Sequence, residues 1–403
     1  MRNPNSRAAI AASFVALLWS CPPALGELPA KYELPRWCGQ GSLVVVVDVS
    51  DVQSGFYEMA GRAEEIVRLV KRAKASCLIV EDADLPWRRE PRTRQPAYQP
   101  ATTYLRLANH LGVRRGVVLP SVGVDPSAKQ QSEWITRVVE LVDRDDYDYI
   151  ALPDQASVAA FLSAPKDELY RRELRDDERT NWWSTSAGNR RSEWRVLRLP
   201  ESASTEPSLA ATVVEATKAP WLEAQPPNRY GRRWPKEFEV TLENGDGASR
   251  QFVDQLIDAA SDSRNTRIRL RLTLQADGSL DDQAFATLQE VAEWMEAYGS
   301  PWDHRHIGPP PYIANDATEG LRVICGHGTL WVIGDAWPKD GIHLPALYAD
   351  NAHEVVSVRL VGTQKMLMWQ QGDHEIGLTI QPPRHKPRNL PWVVEIGYID
   401  TTP

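Results

Sequence analysis

From residue 42 onward the chain alternates short β-branched runs with amphipathic stretches of helical period. Ser42 to Val49 is apolar apart from Ser42 and Asp48, the pattern of a strand buried on both faces. Ile66, Leu69, Val70 and Ala73 then fall at helical spacing and form the stripe of a helix. The order repeats with strands at Cys77 to Val80, Gly116 to Leu119 and Tyr147 to Leu152, and helices at Tyr104 to Leu111 and Trp134 to Val142. Such alternation predicts a parallel sheet, open or closed into a barrel. From about 166 to 250 the pattern is less regular. It holds a charged helix (Asp167 to Asp177), a Trp-containing loop (Asn181 to Ser186), short strands near Trp194 to Leu199 and Ala211 to Val214, and a Pro-rich passage (Pro220 to Trp234).

Regularity returns with a helix at Phe252 to Ala260, a strand at Ile268 to Leu274, the turn Ala276-Asp277-Gly278-Ser279, and a helix from Asp281 to Tyr298. Phe285, Leu288, Ala292, Met295 and Tyr298 give that helix one apolar stripe. Ser279 is its expected cap, with Asp281 and Asp282 placing negative charge on its positive end. After His306 the run Gly308-Pro309-Pro310-Pro311 makes a stiff connector. Beyond it the strand candidates are Leu321 to Cys325, Leu330 to Ile333, Val355 to Val361, Met366 to Gln370, Ile376 to Gln381 and Trp392 to Ile396. Close turns without a strong helix predict a β-sandwich. The expected division is a signal segment 1–26, a (β/α) barrel 27–306 and an all-β domain 307–403.

The signal segment rests on basic Arg2 and Arg7, an apolar centre from Ala8 to Trp19, and the small-x-small site Ala24-Leu25-Gly26. Its apolar run is too short for a transmembrane anchor. The expected destination is the periplasm or the exterior; Leu18-Trp19-Ser20-Cys21 leaves open a lipoprotein anchored through Cys21. Net charge is −8 over 403 residues, and losing Arg2 and Arg7 takes it to −10. An acidic chain has no global field for phosphate backbones, which argues against nucleic acid as a partner. Past the cleavage site Cys38, Cys77 and Cys325 remain, none at metal-ligand spacing. One pair is open to oxidation, with Cys77 also reading as a core residue.

Candidate chemistry lies at the C-terminal ends of the expected strands, where barrel active sites form. Carboxylates stand there at Asp48, Asp51, Glu81, Asp82, Asp84, Asp125 and Asp154. Caps and turns account for most such positions. Fifteen tryptophans include Trp87, Trp182, Trp183, Trp221 and Trp234 in loop-like stretches, where an indole can cover the flat face of a sugar. Trp294 and Trp369 read as core. His304 and His306 lack a partner at a recognised ligand spacing. Neither a metal nor an organic cofactor is implied.

The order strand, Ala276-Asp277-Gly278-Ser279-Leu280, and a helix ending Glu293-Trp294-Met295-Glu296-Ala297-Tyr298-Gly299 resembles the last barrel unit of α-L-fucosidases of glycoside hydrolase family 29. Val358-Arg359-Leu360-Val361-Gly362, Leu367-Met368-Trp369 and Gly377-Leu378-Thr379-Ile380 follow the order of that family's C-terminal module. The similarity is clearest over about 250–403. It implies a (β/α)8-like (TIM) barrel, shortened or degenerate, followed by a β-sandwich.

By the same resemblance the nucleophile falls near Asp154, in Asp148-Tyr149-Ile150-Ala151-Leu152-Pro153-Asp154, one residue beyond the family's position. The acid/base falls near Glu223, in Pro220-Trp221-Leu222-Glu223, also offset by one. Asp48, Asp84, Trp87 and Trp221 are the implied sugar-binding residues. The histidines that the family carries at the ends of its first two strands are missing, since the first histidine here is His110. Two functions follow. One is an exported glycosidase cleaving a glycosidic bond with retention through two carboxyl groups about 5 Å apart. The other is a catalytically silent relative that binds a glycan or acts as a scaffold.

Overall fold

The computed structural model describes residues 41–53, 56–81, 100–119, 121–123, 127–134, 149–154, 156–157, 160, 196–198, 221–223, 236–242, 247–261, 266–304, 320–326, 328–349, 353–363, 365–383 and 391–400. The signal segment, Cys38, the Gly308–Pro311 connector, Asp84, Trp87, Asp125, His306, the 167–177 helix, the 211–214 strand and the loop tryptophans 182, 183 and 234 lie outside them.

Eight strands form one parallel sheet. They are β1 (Leu43–Asp48), β2 (Cys77–Glu81), β3 (Arg115–Val118), β4 (Tyr149–Ala151), β5 (Val196–Arg198), β6 (Trp221–Glu223), β7 (Lys236–Thr241) and β8 (Thr266–Thr273). Their order is β6-β5-β4-β3-β2-β1-β8-β7. The first strand therefore lies between the second and the last, as in a sequential sheet that curls round on itself. Among the described residues no ladder joins β6 to β7. The strand number is not shortened, and β6 and β7 are strands that the pattern of the middle region did not predict.

One face of the sheet carries the helices. Val45 and Val47 of β1, Leu78 and Val80 of β2, and Leu270 and Leu272 of β8 share a core with α1 (Phe56–Arg72), α2 (Pro100–Leu111), α3 (Ala248–Ser261) and α4 (Asp282–Tyr298). The alternate positions face the other way. Val44, Val46, Ile79 and Tyr149 are buried there, and so are Arg267 and Arg269. Space on this second face is tight: a Cβ at Gly116 would sit 2.8 Å from Ile79 Cγ1 and 3.0 Å from Tyr149 Cβ. The expected cap of α4 shifts by two residues. Asp281, not Ser279, caps α4, accepting from Gln283 N–H at 3.0 Å. Ser279 is used in the preceding turn, where its hydroxyl donates to Asp277 Oδ1 at 2.6 Å. A short helix α5 (Ser300–His304) follows.

The C-terminal part forms two antiparallel sheets. One has five strands: β9 (Leu321–Gly326), β10 (Thr329–Gly334), β12 (His353–Leu360), β13 (Lys365–Met366) and β16 (Trp392–Asp400). The other has three: β11 (Ile342–Leu344), β14 (Trp369–Gln371) and β15 (Leu378–Ile380). Both contribute to one core through Val332, Val358 and Val394 on the larger sheet and Ile342, Leu378 and Ile380 on the smaller. The strand expected at Met366 to Gln370 is two strands, because the chain passes from one sheet to the other at Leu367-Met368. Trp294 is fully buried, whereas Trp369 is only half-buried.

The larger sheet is apolar on its second face too. Ile324, Trp331, Ile333 and Val393 join the core of the parallel sheet and its helices. Trp294 of α4 donates to the Pro391 carbonyl across this junction at 3.2 Å. Arg322 of β9 meets Asp254 and Asp258 of α3 and Asp335, each at 3.1 Å. Cys77 and Cys325 are both buried and no disulfide joins them, so they are not the oxidisable pair, and burial pushes the Cys325 thiol up to about 12. No helix among the described residues is long and apolar enough to cross a membrane.

Candidate functional site

The C-terminal ends of β1, β2, β7 and β8 bring charged side chains together. Asp48 and Glu81 are Cα partners at the last paired position of β1 and β2. Val46, two residues earlier on β1, pairs with Arg271 of β8. Arg271 thus starts one layer below the two carboxylates. Its Nη1 donates to Asp48 Oδ2 at 3.4 Å, its Nη2 lies 2.7 Å from Glu81 Oε2, and its Nε donates to Glu239 Oε1 at 3.1 Å. Glu239 turns its second oxygen to Arg269 at 3.5 Å. The Glu81 contact lies off the N–H direction, so charge rather than an aligned hydrogen bond holds that buried oxygen.

Burial works against the Arg271 charge, but Glu81, Glu239 and Asp48 outweigh it and raise the guanidinium above its ordinary value. Asp48, expected from the sequence as a sugar-binding residue, lies in this cluster. Arg271 and Glu239 were not anticipated, and Glu81 stood only among the strand-end acids. A signal did exist: β8 reads Arg267-Ile268-Arg269-Leu270-Arg271-Leu272, an arginine at every second position. Only the pairing of β8 on both sides shows that this arginine row shares the sheet face opposite the helices with Asp48 and Glu81.

Asp154 stands three residues beyond β4. Its Oδ1 accepts from Ser157 N–H at 2.7 Å, at the start of a helical turn, and the fully buried Ser157 hydroxyl oxygen accepts from Val122 N–H at 3.1 Å. Burial raises the Asp154 pKa, yet hydrogen bonds from Ser121, Ser157 and Ala156 overcome it and hold the carboxyl below its ordinary value. An anion kept in this way suits a nucleophile. It also suits a helix cap, and the Ser157 bond has the span of one. Glu223 ends β6 in register with Arg198. The backbone of β6 is described, but the side chains of Trp221 and Glu223 lie outside the described set. Among the described residues no group of three His, Cys, Asp or Glu is arranged to hold a metal ion.

No protein-family model matches the chain. No curated protein sequence matches it either. Solved structures do match. An α-fucosidase from Thermotoga maritima, in complex with a mechanism-based inhibitor, superposes with a TM-score of 0.57 at 13% identity, over 90% of this chain and 97% of that one. The α-L-fucosidase isoenzyme 1 of Paenibacillus thiaminolyticus gives 0.54 at 14%, over 90% and 97%. A family 29 α-L-fucosidase from Bacteroides thetaiotaomicron, trapped as a covalent intermediate, gives 0.53 at 10%, over 93% and 100%. At such identities the likeness is one of fold, and it extends along nearly the whole of each chain.

Proposed function

We propose that this chain, folded like the α-L-fucosidases of glycoside hydrolase family 29, is an exported glycan-binding relative of them in which the sugar mouth persists and the fucosidase reaction does not. On this reading the eight parallel strands close into a barrel within residues 27–306, with 307–403 as the β-sandwich. The glycan enters at the C-terminal strand ends, over Asp48, with Asp84, Trp87 and Trp221 around it. The Arg271 cluster supports this reading. It ties Asp48 of β1, Glu81 of β2 and Glu239 of β7 into ion pairs with one guanidinium, an arrangement that suits holding sugar hydroxyls.

One observation favours a second reading, a retaining glycosidase with Asp154 as nucleophile and Glu223 as acid/base. Asp154 is held ionised, as a nucleophile must be. A screen of aryl glycosides, including the α-L-fucoside, against wild type, Asp154→Ala and Glu223→Gln decides between the two. The expected result is binding without turnover. Turnover abolished by both substitutions installs the hydrolase reading, and turnover indifferent to Asp154→Ala rejects Asp154 as nucleophile.

A further inference from the structure

We infer that Glu81 is the hydroxyl acceptor of the mouth and that Arg271 is the positioning residue that holds it; this rests on the glycan-binding reading above. Asp48 and Glu81 are partners on adjacent parallel strands, and such strands run roughly 4.8 Å apart. Two carboxylates that close repel each other unless a cation lies between them. Arg271 supplies the cation from the layer below, and its fork presents Nη1, Nη2 and Nε to Asp48, Glu81 and Glu239 respectively. A planar guanidinium fixes three such directions at once, whereas an ammonium on a flexible stem does not.

The two mouth carboxylates are not equivalent. Asp48 has both oxygens engaged: Oδ2 faces Arg271, and Oδ1 accepts from Ser50 N–H at 3.1 Å and from its hydroxyl at 2.7 Å. Glu81 has Oε2 buried against Arg271, yet its side chain stays 30% exposed. That exposure lies on the Oε1 side, leaving one oriented anionic oxygen for a donor arriving from solvent. Charge narrows the ligand class. Among the described residues Asp48, Glu81 and Glu239 form ion pairs with Arg269 and Arg271, with Glu81 Oε1 left outside these pairs. That anionic oxygen accepts a neutral polyhydroxyl sugar and repels one bearing a carboxylate.

The test titrates L-fucose, D-galactose and sodium D-glucuronate by ligand-observed NMR into wild type, Glu81→Gln, Arg271→Met and Arg271→Lys, with thermal midpoints for each. A neutral sugar is expected to bind wild type and glucuronate to fail. Glu81→Gln and Arg271→Met are expected to weaken binding at least tenfold, and Arg271→Lys to recover only part of it. Glu81→Gln keeps the guanidinium and the side-chain shape, so its midpoint should stay near wild type; it decides the matter alone if Arg271→Met does not fold. Wild-type affinity in folded Glu81→Gln, or glucuronate binding as tightly as a neutral sugar, overturns the inference and leaves glycan binding standing. Absence of binding by any of the three sugars to wild type overturns the glycan-binding reading and the inference with it.

Discussion

Replacing Asp154 by asparagine separates two roles that alanine merges. Alanine removes both the anion and the acceptor for Ser157 N–H, and loss of a cap of this kind costs about 1 kcal/mol. Asparagine keeps an oxygen acceptor and caps nearly as well, so its loss at neutral pH should be a few tenths of a kcal/mol. A nucleophile tolerates neither change. The pH dependence has a definite sign. The folded-state pKa of Asp154 is depressed, so the carboxylate's contribution is fully present above the unfolded value of about 3.9. It is lost as pH falls through the folded value. Urea denaturation at pH 7, 4 and 3 should therefore show wild type more stable than Asp154→Asn at neutral pH, with the gap closing in acid. A gap independent of pH would contradict the hydrogen-bonded anion.

At the scale of elements, the turn into α4 is where local sequence has the largest leverage. Gly278 has φ of 78°, and a Cβ there would collide with Met59 Cγ of α1. Gly278→Ala combines left-handed strain with overpacking and should cost roughly 2–4 kcal/mol. Asp281→Ala should cost about 1 kcal/mol. Ser279→Ala, which loses a half-buried hydroxyl bond within the turn but no helix cap, should cost less than Asp281→Ala; thermal melts of the three variants would rank them. The expectation had the helix and missed its cap, because Ser279 and Asp281 are equally good cap residues and only the folded turn shows which one Asp277 occupies. Long apolar runs such as Leu43–Asp48 and stripes such as that of α4 were legible because burial imposes a period on them. Three-residue strands impose none, and Trp221–Glu223 follows Pro220 in a Pro-rich passage, so β6 left no trace. The Arg271 cluster was hidden for another reason. Alternation reveals which residues share a face of β8, whereas the partners of that face come from β1, β2 and β7, far away in sequence.

Over the whole molecule, the parallel sheet and the C-terminal sheets are joined by core rather than by a linker. Trp331 is 1% exposed and sits in the core built by the helices of the parallel sheet. Beside it Arg322 ties α3 to β9. Burial lowers its pKa, but Asp258, Asp335 and Asp254 more than compensate and raise it. Arg250 bridges two of the same acids, Asp254 and Asp335. Parts that share a packed core lose stability together. Calorimetry should therefore record a single unfolding transition. Trp331→Ala should lower stability by about 3–5 kcal/mol, the usual cost of truncating a buried tryptophan. Arg322→Met should cost less, roughly 1–3 kcal/mol, since its abandoned carboxylates remain partly open to water. Both variants should keep one transition and move it down. A C-terminal part that melts unchanged in either variant, while the rest shifts, would show that the two parts fold independently and that Trp331 does not belong to a common core.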